Sequence, residues 1–278
     1  VDTAPPAVSV LTVKTPTNDN RPLISVAAEA GSVVTVYSGD TELGQATENE
    51  DGVFRFVPRE AFADGFYVLS VLATDGAGNA GERSVGVKVE VDTVAPGVPV
   101  VFVSSPTKDS TPEIRGTAEA GSLVVLFANG DVFGEVLVGG DGGYRFVPSE
   151  SLRDGLYEIN VFSTDGAGNT SASSSAASMV IDTIAPGAPT LEGSKLGKES
   201  KPMLMGAAEA GSKVTIYKGD TVLGQVTASE AGRYAFKPGV GFADGAHLIK
   251  ATATDAAGNV SVASGLFSMK VDTAPPAV

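Results

Sequence analysis

The chain has no cysteine, no tryptophan and a single histidine in 278 residues. Without cysteine there are no disulfides, so rigidity must come from packing or from a bound ion. With one histidine and no thiol, a zinc or copper centre lacks its usual ligands. Aromatics make up 6% of the residues, which leaves little material for a sugar-stacking platform. Basic residues are outnumbered, 19 against 33 acidic, for a net charge of −14. That balance speaks against nucleic acid as a partner. No apolar run reaches the roughly 20 residues a membrane-spanning helix needs, so no membrane insertion is expected of this segment. A phosphate loop, a nucleophile elbow and a metalloprotease motif are also missing. An enzyme is therefore not expected. The lone His247 takes the place of Tyr67 and Tyr157 and reads as a packing or corner residue, not a general base.

What is present is a repeat. Val91-Asp92-Thr93-Val94-Ala95-Pro96 returns as Ile181-Asp182-Thr183-Ile184-Ala185-Pro186, and the same motif opens the chain at Asp2 and closes it at Asp272. The interval is 90 residues each time, which marks tandem modules. The prolines fix φ and hold their predecessors extended, so the motif reads as a stiff joint. The expected domains are residues 1–91, 92–181 and 182–278. With no initiator Met or leader, and the joint at both ends, the sequence reads as a piece of a longer array.

Within a module, short apolar or alternating runs are separated by turn residues. In the first they are residues 8–13, 23–28, 33–37, 43–47, 53–57, 67–71 and 84–91. Turn signals recur every 8–12 residues and no run has helical period. This predicts an all-β chain of three tandem immunoglobulin-like β-sandwiches in an elongated rod. At about 3.3 Å per strand residue, each module is roughly 35–40 Å long. The Ala/Ser-rich residues 171–178 align with the last strand of the other modules and are read as strand.

In such a topology the turns gather at two poles. The N-terminal pole receives the joint aspartates Asp2, Asp92 and Asp182. It also receives Glu29, Glu119 and Glu209 from one turn, with Asp75, Asp165 and Asp255 and Asn79, Asn169 and Asn259 from another. Converging carboxylates repel unless a cation offsets them, and oxygen ligands suit calcium. The expectation is one Ca2+ per module at this pole. The alternative is turn chemistry, which Asp and Asn also favour; the joint aspartate, which no hairpin requires, tips the balance to calcium. At the opposite pole Asp19, Asp40, Asp64, Asp109 and Asp154 suggest a second type of site. That pattern drifts to Glu199, Asp220 and Asp244 in the third module. Asp51 and Asp141 become Ala231, which reads as hairpin chemistry.

The Asp-Thr-x-x-Pro joint, the Glu-Ala-Gly turn, the Asp-Gly-x-(Phe/Tyr)-x-Phe strand and the Thr-Asp-x-Ala-Gly-Asn loop resemble the bacterial Ig-like repeats of giant adhesins. The resemblance covers the whole chain. It implies export by a type I system, an extracellular place on the bacterial surface and calcium-stiffened joints. It also implies neighbouring repeats as partners, attachment to host cells or biofilm matrix through the full-length protein, and a monomer. A rival expectation is that these modules grip a glycan or protein themselves, through an apolar patch or a sheet edge. No patch that differs strongly between modules is evident in the sequence.

Overall fold

The computed structural model describes residues 2–7 and 9–274. Val8, at the start of the first expected strand, and Pro275 and Pro276 of the closing joint lie outside them. The described residues form 22 strands and no helix. The first module contains β1 (Val10–Thr12), β2 (Ile24–Ala27), β3 (Val33–Ser38), β4 (Thr41–Glu48), β5 (Phe54–Phe56), β6 (Gly65–Thr74) and β7 (Val87–Val91). The second contains β8 (Val100–Phe102), β9 (Ile114–Thr117), β10 (Leu123–Ala128), β11 (Asp131–Leu137), β12 (Gly143–Phe146), β13 (Gly155–Thr164) and β14 (Ala177–Ile181). The third contains β15 (Glu192–Gly193), β16 (Leu196–Gly197), β17 (Leu204–Ala207), β18 (Lys213–Lys218), β19 (Thr221–Thr227), β20 (Arg233–Phe236), β21 (Gly245–Thr254) and β22 (Phe267–Val271).

The second module shows the plan most simply. One sheet runs β11-β10-β13-β14 and the other β12-β9-β8. In the first module β4 pairs with both β3 and β5, so its two sheets join in the order β1-β2-β5-β4-β3-β6-β7. Alternation drives the packing. Val34 and Val36 of β3 and Leu69, Val71 and Ala73 of β6 are buried, alternating with the less buried Thr35 and Leu72, while Ser70 is buried as well. Each large aliphatic buried this way contributes roughly 1.5–3 kcal/mol. Three separate cores result, one per module. The chain is thus a tandem array of Ig-like sandwiches.

A glycine in β4, β11 and β19 marks where the sheets close over an aromatic ring. A Cβ on Gly134 would lie 2.3 Å from Phe146, and one on Gly224 would lie 2.6 Å from Phe236. The last strand starts later than the sequence suggests. Only Ala177–Ile181 of the Ala/Ser-rich run is strand. Ahead of it, Ser174 Oγ accepts the Val161 amide at 3.1 Å and Ser171 Oγ the Ser163 amide at 3.0 Å. Serine hydroxyls thus take over from the backbone ladder, as Ser84 and Ser264 do in the other modules.

Candidate functional site: the joints between modules

Each joint begins where a module's last strand ends. After Val91, the Asp92 amide donates to Thr17 O at 3.0 Å, and the Thr17 amide donates to Glu90 O at 3.0 Å. Asp64, in the turn before β6, accepts both the amide and the hydroxyl of Thr93 on Oδ1, each at 2.9 Å. The second joint repeats this. Asp182 donates to Thr107 O at 2.9 Å, and Thr183 donates twice to Asp154 Oδ1, at 3.0 and 2.9 Å. Asp244 holds Thr273 in the same way at 2.9 and 2.8 Å. The Asp-Thr pair is therefore fastened to the module that precedes it.

The following module grips the same peptide from its other edge. The loop between β13 and β14 starts with Asp165, whose Oδ1 accepts the amides of Gly168 at 2.7 Å and Asn169 at 2.9 Å. Gly168 sits at φ +103, a conformation open to glycine at no cost. This winding aims Asn169 Nδ2 at two acceptors: Asp165 Oδ2 at 2.8 Å and the Asp92 carbonyl at 2.8 Å. Turned over, the amide would put oxygen against two acceptors, so the partners fix its orientation. Asn259 does the same with Asp255, 2.9 Å, and the Asp182 carbonyl, 2.7 Å. The peptide joining Asp92 to Thr93 thus has its C=O held by the second module and its N–H by the first. Two lysines also cross the joints. Lys14 Nζ donates to Ala167 O at 3.3 Å and Lys108 Nζ to Gly258 O at 3.0 Å.

Electrostatics follow these bonds. The Asn79 side chain, with the amides of residues 77–79, holds the Asp75 carboxyl below the ordinary carboxylate value. At Asp165 and Asp255 desolvation is the largest single influence and pushes upward. The combined bonds from Asn169 or Asn259 and the loop amides outweigh it, and the net shift is downward. The Thr273 amide and hydroxyl lower Asp244.

The predicted site residues divide accordingly. The pairs Asp75–Asn79, Asp165–Asn169 and Asp255–Asn259 come together with the joint residues Asp2, Asp92 and Asp182, but through the joint's carbonyl, not its carboxylate. The joint carboxylates instead accept the amides of Ala4, Val94 and Ile184, closing local turns. Glu29, Glu119 and Glu209 offer backbone carbonyls to Ser32, Ser122 and Ser212; nothing in the structure accounts for their recurring side chains. At the other pole only Asp64 and Asp154 of the predicted set reach a joint. Asp19 and Asp109 bind the amides of Arg21 and Thr111, and Asp40 pairs with Arg83 at 3.5 Å.

Calcium would need six to eight oxygens turned inward. Here the carboxylate and carbonyl oxygens already face N–H donors, and Asn169 and Asn259 place NH2 groups between them. Among the described residues no three Asp, Glu or His side chains gather into a metal-holding group.

His247 bonds Ala243 O at 2.8 Å and lies against Phe242. Tyr67 and Tyr157 reach Ala63 O and Arg153 O in the same way, at 2.8 and 3.0 Å. The only histidine is thus a tyrosine-corner substitute. The sequence reading missed the threonines and the lysines. The threonines recur behind every joint aspartate; Lys14 and Lys108 are not at equivalent places in the repeat.

Exoglucanase B of Cellulomonas fimi is 30% identical over 258 residues, covering 86% of this chain but 23% of that protein. The chain therefore spans about a quarter of that relative's length. A solved tetra-tandem repeat from the extending region of a large adhesion protein is 22% identical, with 96% of this chain and 74% of that one covered and a TM-score of 0.33. The BSP domain of a biofilm-associated protein is 12% identical, with 98% and 67% covered and a TM-score of 0.28. Residues 12–93, 104–183 and 191–273 each match the family described as Bacterial Ig-like domain, and the chain belongs to that family.

Proposed function

We propose that the chain is a spacer: a run of sandwiches locked end to end that carries some other, active part of a bacterial protein away from its base. The observation that supports this is the doubly held joint peptide, repeated at 92–93 and 182–183. A chain meant only to tether would not hold one peptide from both sides. The parent protein in this reading is a giant adhesin of the SiiE-like or BapA type, exported by a type I system and displayed on the cell surface. Its tip attaches to host cells or biofilm matrix. The spacer role does not depend on the cargo, and an exoglucanase with a related segment fits it equally. Exchanging the three modules in the parent for three unrelated rigid modules of equal length should preserve attachment, while deleting them should reduce it. Loss of attachment on exchange would favour direct binding.

Direct binding is the second reading, and one surface supports it. The outer face of β10 and β13 carries Val125, Phe127 and Phe162, with Phe127 and Phe162 rings 5.6 Å apart. Leu137, opposite Leu123 in the same sheet, is 68% exposed. The third module has Thr215, Tyr217 and Thr252 at the same places. The modules do differ here, contrary to the expectation from sequence. Replacing Phe127 and Phe162 with Thr should then weaken attachment, and under the spacer reading should not.

Calcium at the joints is a separate proposal. It requires Asn169 and Asn259 to turn their amide oxygens toward the ion. Their side-chain amide resonances should then move on adding millimolar calcium; resonances that ignore it would remove the proposal.

A further inference from the structure

We propose that the third module holds a binding site for a small amphipathic carboxylate, an apolar chain ending in one negative charge, in the cleft between its β18–β19 hairpin and residues 238–243. The cleft has a volume of about 520 Å3, and Val222, Leu223, Pro238, Val240 and Phe242 give it apolar walls. Small-molecule pockets are usually roughly 300–1,000 Å3, with apolar walls and few polar groups. The one charged lining group is Lys218. Its ammonium lies over the Phe242 ring, 5.7 Å from the centre, so charge and apolar wall are contiguous.

Lys218 is left to meet an outside anion. Asp220, two residues on, is engaged by Lys250 at 3.2 Å. Among the described residues no carboxylate pairs with Lys218. Apolar surface lies open beside it: Val222 is 53% exposed and Val240 84%. The segment that carries Val240 is pinned to residues 200 and 201. Lys201 Nζ donates to Gly239 O at 2.6 Å, and the Phe242 amide donates to Ser200 O at 2.7 Å. Gly241 permits that approach, since a Cβ there would lie 3.0 Å from Ser200 Oγ. A pinned wall needs little ordering when a ligand arrives.

The neighbouring modules show that the cleft's chemistry is not a by-product of the fold. The place of Lys218 is taken by Ser38 and Ala128, and that of Val240 by Glu60 and Glu150. An acid has given way to an apolar side chain, and a neutral residue to a cation. Val222 stands where the first module has Glu42 and the second Val132. The whole module follows the same trend. Residues 182–278 carry nine basic and nine acidic side chains, against six and thirteen in 1–91 and four and eleven in 92–181. An anion is therefore repelled least at the third module. A single ammonium, with no second cation in the lining, matches one negative charge, which favours a carboxylate over a doubly charged phosphate ester. The site is independent of the spacer reading, since a locked array could carry it or lack it.

Sodium octanoate and octanol share a chain and differ in charge, so they test the site on the whole, valine-methyl-labelled chain. Octanoate should shift the methyl resonances of Val222 and Val240 saturably. Octanol should bind about tenfold more weakly, the loss expected of one charge-assisted hydrogen bond. Lys218→Met should weaken octanoate by the same factor and leave octanol unchanged. Val240→Glu, which copies the other modules at an exposed place, should abolish the Val222 shift with both probes. The contrast between the probes on the native chain needs no variant to fold. Three results would overturn the proposal: no shift in the third module with octanoate, full octanoate binding by Lys218→Met, or octanol bound as tightly as octanoate. The last would mark the cleft as a seat for an uncharged apolar segment.

Discussion

The loop 75–79 of the first module and the loop 165–169 of the second are built alike. Each has an aspartate accepting its own loop amides, a glycine with positive φ and an asparagine whose amide bridges the aspartate to a joint carbonyl. Their surroundings differ. Ala167 is 2% exposed and Asn169 9%, under the end of the first module. Ala77 is exposed and Asn79 half-buried, with only the opening residues beside them. In both settings the loop is closed by its own hydrogen bonds, and the first module adds burial and a lysine contact to the second loop. A loop closed in this way asks little ordering of the segment that meets it, which favours a defined angle between modules.

A second contrast runs through the sheets. The first module packs Val26 against Phe54, whereas the others place Gly116 with Tyr144 and Gly206 with Tyr234. The missing Cβ leaves room for the phenol to reach the first strand's carbonyl, Val100 O at 2.8 Å or Thr190 O at 2.5 Å. Burial pushes both phenols up to about 12, so they remain donors.

This exchange gives the largest expected effect. A Cβ on Gly206 would lie 2.0 Å from Thr190 O and 2.7 Å from Tyr234 Oη. Gly206→Val should therefore destabilise the third module by roughly 3 kcal/mol or more, read as the loss of one calorimetric transition. Adding Tyr234→Phe, which copies the first module, should recover part of it. No recovery would show that the two residues are not exchanged as a pair.

The loop contrast predicts a smaller difference. Asn169→Ala leaves a part-buried carboxylate oxygen and the Asp92 carbonyl without their Asn169 donor and should cost about 1–2 kcal/mol. Asn79→Ala, whose acceptors are open to water, should cost clearly less. Equal losses in chemical denaturation would mean that burial by the neighbour contributes nothing.

The fastening threonine should matter least. Thr93→Val removes one exposed hydroxyl bond to Asp64 and keeps the amide bond, at a cost of about 0.5–1 kcal/mol. Acid tests the same carboxylates together. Asp75, Asp165, Asp244 and Asp255 are all lowered from an ordinary value of 3.8. A lowered folded value means that their contribution is complete above the unfolded carboxylate range and is lost as pH falls through the folded values. Joint order, followed by spin-label distances, should hold down to pH about 4 and fail below it. Loss at neutral pH would point elsewhere.

Much of this was legible in the sequence. The 90-residue interval, the alternating strands and the two poles are carried by side-chain type at fixed spacing, and period analysis reads such signals directly. The Asp-x-x-Gly-Asn loop stood out as well. Its target did not, because Asn169 bonds a backbone carbonyl that any residue at 92 would offer. Asp64 resembled a simple turn residue, since its partners are a backbone amide and a threonine 29 residues further on. Lys14 and Lys108 were hidden because a repeat search looks for equivalent places and they occupy different ones.

The central claim, to which calcium at the joints is the rival reading, is that hydrogen bonds to one peptide from both neighbours hold each joint. Small-angle scattering tests it most directly, on the native chain and on Asn169→Ala with Asn259→Ala, in EDTA and in millimolar calcium. The account predicts a sharply defined maximum dimension for the native chain in both solutions and a blurred one for the double variant. A native profile in EDTA that matches the double variant and sharpens only with calcium would contradict it.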